Sequence, residues 1–128
     1  MMYFEDRKEE GCIMTTATKQ TESAVRKLRD EIHVPRRVFS RLLPVSERLL
    51  ADLETNKRDP SEAVQRRLNE LERLITALKE IIDSEYLSKW LTEPNDAFDG
   101  LKPIEVIERG ESDRIWRMIY HIASGNAT

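Results

Sequence analysis

The sequence predicts an all-α protein, built as an N-terminal trihelical unit, a long connecting helix and a small C-terminal helical unit. Three observations predict it. Apolar residues recur at steps of three and four from about Glu22 to Ala123. No segment alternates apolar and polar residues with period two over a useful length. Proline, glycine, serine and asparagine fall at the breaks between the apolar stripes, where helices start and stop.

Residues 1–21 carry charge and threonine without periodicity and read as a disordered arm, within which Met14 offers an alternative start. Val25, Leu28 and Ile32 mark a first helix that ends before Val34-Pro35, because proline disfavours a helical residue ahead of it. Pro35 suits the first position of a second helix, with Val38, Phe39, Leu42 and Leu43 on its apolar face. Pro44 stops that helix. Ser46 then caps a third helix bearing Leu49, Leu50 and Leu53. A polar loop, Thr55 to Pro60, leads to Ser61 as the next cap.

The fourth helix is the longest. Val64, Leu68, Leu71, Ile75, Leu78 and Ile82 step by fours and threes, and Leu74 and Ile81 widen the stripe. Covering the chain's own core is its first use. A homodimer seam along Leu71, Ile75, Leu78 and Ile82 is its second. The last third, 84–128, holds a helix over Ser84–Thr92 and a turn-rich loop from Glu93 to Gly100. Pro103 opens a short helix over Ile104–Arg109, closed by Gly110. Ser112 is expected to cap a final helix with Ile115, Trp116, Ile119, Tyr120 and Ala123, ended by Gly125.

A net charge of −3 conceals a gradient. Arg26 to Asp59 holds nine basic and six acidic residues, whereas Asp83 to Thr128 holds five basic and nine acidic. One end suits phosphates and the other a basic protein surface. The second helix, tight turn and third helix form a candidate helix-turn-helix. Ser46, Glu47, Arg48 and Asp52 would face bases, with Arg36, Arg37, Arg41, Lys57 and Arg58 set to hold phosphates. Glu47 and Asp52 oppose that reading, since they place negative charge against the duplex. The alternative is a trihelical scaffold of the same shape.

The C-terminal segment carries more specific wording. Trp90, Glu93-Pro94-Asn95, Phe98, Gly100 and Pro103 spell W-x-x-x-P-N-x-x-F-x-G-x-x-P, followed by Gly110, Trp116 and the closing Ile122-Ala123-Ser124-Gly125. This run, roughly residues 84 to 125, resembles the toxin-binding domain of the Xre/MbcA/ParS antitoxin family, and a helix-turn-helix ahead of it matches that family's order. The resemblance implies an Xre-like DNA-binding domain over 22–83 that represses its own operon. It implies a type II antitoxin whose C-terminal domain binds a RES-domain toxin, an NAD-consuming enzyme, and blocks its cleft within a larger toxin–antitoxin complex. The toxin-facing candidates on this chain are Trp90, Asn95, Phe98, Arg114, Arg117, His121, Ser124, Gly125 and Asn126. For Trp90, Phe98 and Trp116 the simpler role is core aromatic, and Asn95 and Asp99 read as turn formers. The last helix and its tail are the parts expected to enter a partner.

An enzyme is not expected. The two histidines, His33 and His121, lack a cysteine or carboxylate at metal-ligand spacing. There is no glycine-rich phosphate loop and no nucleophile elbow, so no cofactor is expected. The single cysteine, Cys12, excludes an internal disulfide. No apolar run reaches bilayer length and no cleavable leader opens the chain, which predicts a cytoplasmic protein with no membrane contact. Two readings compete with the antitoxin: a plain transcriptional regulator whose C-terminal unit only dimerises, and an adaptor that ignores DNA.

Overall fold

In the computed structural model the chain is described over residues 23–125, and every regular element in that stretch is helical. The arm at 1–21 lies outside the described residues. Seven α-helices follow one another: α1 Ala24–Ile32, α2 Arg36–Leu42, α3 Glu47–Glu54, α4 Glu62–Lys79, α5 Ser84–Thr92, α6 Pro103–Glu108 and α7 Ser112–Ala123. A single 3-10 turn, Asp96–Phe98, interrupts the loop between α5 and α6.

The caps explain most boundaries. Ser23 Oγ accepts from the Val25 N–H at the start of α1 and donates to the Leu53 carbonyl, 30 residues on. Ser46 Oγ accepts from Leu49 N–H at 3.0 Å, and Ser61 Oγ from Val64 N–H at 3.2 Å, as the serine positions predict. At the end of α6 the Gly110 N–H donates to the Ile107 carbonyl and the Glu111 N–H to the Val106 carbonyl. Gly110 itself sits at φ +77°. That pair of bonds needs a left-handed residue, which glycine adopts without steric cost.

Four boundaries differ from expectation. Pro35 precedes α2 as its N-cap rather than opening it, and its carbonyl accepts from the Val38 and Phe39 N–H groups. Pro103 opens α6 as its first helical residue, as the sequence suggested, but the helix closes at Glu108, one residue earlier than expected. The fourth helix ends at Lys79, short of Ile82, because the Glu80 and Ile81 N–H groups tighten onto carbonyls three residues back. Ser112 lies inside the first turn of α7 and does not cap it. The glycine turn at Gly110 delivers the chain so directly that Glu111 occupies the boundary.

One continuous apolar core holds the helices together, running from Val25 through Phe39, Leu50, Leu68, Ile75, Leu87 and Phe98 to Ile119. Leu71, Ile75 and Leu78 are buried within the chain itself and Ile82 is half-buried, so they offer no exposed stripe. The two units predicted either side of α4 share this core, and α2 packs directly on α6. Among the described residues no helix is long and apolar enough to cross a membrane.

Candidate functional site

Two surfaces hold the residues singled out by the sequence. The first is the α2–turn–α3 unit. Its interior is built from Phe39, Leu42, Leu50 and Leu53, all buried, so α3 turns its Leu50/Leu53 side inward. Ser46, Glu47 and Arg48 are exposed on the opposite side, while Asp52 is half-buried. The Asp52 carbonyl accepts from the Lys57 and Arg58 N–H groups, which folds the following loop back over the end of α3. Lys57 and Arg58 are exposed on that loop.

The cations divide into two groups. Arg36 Nε binds the Glu54 carboxylate at 2.9 Å, and Arg41 Nε lies 3.3 Å from Glu108 on α6. Both therefore have internal carboxylate partners. Arg37, Arg48, Lys57 and Arg58 are exposed and have no ion-pair partner among the described residues, which leaves their charge to solvent or a phosphate. Glu54, only 3% exposed, is the anchor of the unit: Arg29 and Arg36 both donate to it. Burial pushes its carboxyl up. The two guanidiniums outweigh that and hold it below the ordinary carboxylate value.

The second surface is the C-terminal unit, where the predicted residues again separate. Asn95 Oδ1 accepts from the Ala97 N–H and caps the 3-10 turn. Asp99 follows at φ +59°, and the Leu101 carbonyl accepts from Asn95 N–H. Both are turn formers, as their residue types suggest. Phe98 is buried in the core and Trp90 meets it edge-on, with ring centroids 6.2 Å apart. Arg114 lies 5.9 Å over the Phe98 ring and donates to Glu111 at 3.0 Å and Asp99 at 2.9 Å. Those bonds raise its already high pKa, Glu111 foremost. Trp90, Asn95, Phe98 and Arg114 thus knit the loop to α7.

The remaining candidates line the end of α7. Arg117 is exposed and held by Asp113 four residues back, and His121, Ser124 and Gly125 are exposed. Asn126 lies outside the described residues. Two residues absent from the predicted set stand out here. Tyr120 is 67% exposed and stacks against Trp116 with centroids 6.0 Å apart, and Ile122 is 42% exposed. For Tyr120 the signal was present in the helix period. Ile115 and Ile119 occupy the buried line, so Tyr120, one position further round, must turn about 100° away from it. Tyr86, at the start of α5, is a third large apolar side chain left exposed.

Among the described residues no three His, Cys, Asp or Glu side chains gather to hold a metal ion. No protein-family model matches the sequence, and no curated protein matches it. A solved structure does match. It is a chain in the crystal structure of the M. tuberculosis MbcT–MbcA toxin–antitoxin complex, with a TM-score of 0.65 and 23% identity, covering 80% of this chain and 93% of that one. The fold is shared with that chain. At this identity the likeness concerns the path of the helices.

Proposed function

We propose that this chain is the antitoxin of a type II toxin–antitoxin pair. In this reading its C-terminal unit binds and neutralises a RES-type, NAD-degrading toxin, and its α2–turn–α3 unit represses the operon that encodes both. It performs no chemistry of its own and acts by occlusion.

The observation that carries the reading is the fold shared with a chain of a toxin–antitoxin complex. Two features of the chain support it independently. The spaced run from Trp90 to Gly125 matches the antitoxin wording, and the structure gives its inner members a job: Trp90 and Phe98, with Arg114 over the Phe98 ring, brace the loop that supports α7. The outer end of α7 is left with Tyr120 and Ile122 open to solvent, an arrangement suited to a desolvating contact with another protein.

The DNA-binding half rests on four exposed cations around α3, Arg37, Arg48, Lys57 and Arg58. A plain helix-turn-helix regulator uses the same four, and differs in what α7 does. Co-expression separates the two. The product of the adjacent gene, expressed alone, should arrest growth, and this chain should restore it. Growth arrest that persists in the presence of this chain contradicts the antitoxin reading and leaves the regulator.

A further inference from the structure

Arg67, in the second turn of α4, makes contacts that no sequence pattern announces. Its Nε donates to the Leu42 carbonyl and its Nη2 to the Ile107 carbonyl, each at 2.9 Å. Its third nitrogen, Nη1, lies 4.0 Å from Glu70 on the same helix. Leu42 is the last residue of α2 and Ile107 lies in the last turn of α6. One planar guanidinium therefore binds the C-terminal ends of two short helices, one from each unit, where the negative ends of the helix dipoles favour a cation, and at Ile107 it shares the carbonyl with the Gly110 N–H. Beside it, Arg41 at the end of α2 reaches Glu108 at the end of α6.

The same side chain separates two clefts. One lies between α4 and the start of α7, lined by Leu74, Ile107, Gly110 and Trp116. The other lies between α4 and the α2–α3 turn, lined by Leu43, Pro44 and Val64. Arg67 lines both.

We infer that Arg67 is a latch that makes the α2–α3 unit and the α6–α7 unit open and close as one body. The inference goes beyond the function proposed above. Its consequence for that function, if DNA and a toxin do occupy the two units, is that each occupant alters the affinity of the other by the same factor. Lysine makes a weaker latch, because its three donors sit on a freely rotating ammonium without the fixed fork that holds two carbonyls at once.

Native-state hydrogen exchange on the full chain tests this without DNA or partner, so its failure is separate from failure of the antitoxin reading. In the wild-type protein, amides of 36–54 and of 103–123 should open with the same equilibrium constant. In Arg67→Lys the two values should part by tenfold or more, and Arg67→Gln serves where the lysine variant does not fold. Unequal opening in the wild type, or equal opening in the variant, overturns the inference. Collapse of the whole fold in both variants overturns it too, since the two units must persist once unlatched.

Discussion

Glu54 shows what one side chain does to the N-terminal unit. Its carboxylate is buried at the end of α3 and receives Arg29 from α1 and Arg36 from α2, so three helices meet on one charge. Removing it leaves two guanidiniums facing each other. Breaking a buried pair from one side costs about 3–5 kcal/mol, and the partial exposure of Arg36 puts Glu54→Ala at the lower end of that range. The sign of the pH effect follows from the direction of the shift. The folded-state pKa lies below the unfolded one, so this stabilisation is fully present above the ordinary glutamate pKa near 4.5 and is lost as pH falls through the lower folded value. Denaturant midpoints measured from pH 7 to pH 3 should therefore drop on the acid side of the wild type. Glu54→Gln should be less stable at neutral pH and lose part of that acid slope.

At the scale of the elements, α3 is fixed by its cap and its inner face, and α4 by its burial. Ser46→Ala should lower stability by about 1 kcal/mol through loss of the N-cap bond to Leu49. Ile75→Ala should cost about 2–5 kcal/mol, since the side chain is 1% exposed in the middle of the core. Both are read from thermal or denaturant unfolding. On the loop after α3, Arg58→Ala should weaken binding to the proposed operator DNA and lower the salt slope by roughly one. The helices were legible in the sequence because serine caps, prolines and glycines write their ends in local chemistry. What stayed hidden was of two kinds. The one- to three-residue boundary shifts at Pro35, Arg109, Ser112 and Ile82 depend on how neighbouring turns deliver the chain, which periodicity does not encode. The partners of Glu54, Arg67 and Arg114 depend on contacts 15 to 40 residues apart, and a charged residue on a helix looks the same whether it ends in solvent or on a distant carbonyl.

The whole molecule combines these pieces into a single helical body with a cationic α3 edge and an aromatic end on α7. Toxin-facing candidates chosen from the sequence divide accordingly: Trp90, Asn95, Phe98 and Arg114 hold the C-terminal unit together, whereas Arg117, His121, Ser124 and Gly125 lie exposed beside Tyr120 and Ile122. If the α7 end is the contact surface, the energy of the complex should concentrate on its exposed aromatic rather than on the charged rim. Calorimetric titration of the purified adjacent-gene product with this chain measures that directly. A saturable complex with the wild type, weakened at least 100-fold by Tyr120→Asp without loss of the fold, is the predicted result. Absence of any complex with the wild-type chain, or an affinity untouched by the substitution, would contradict the account.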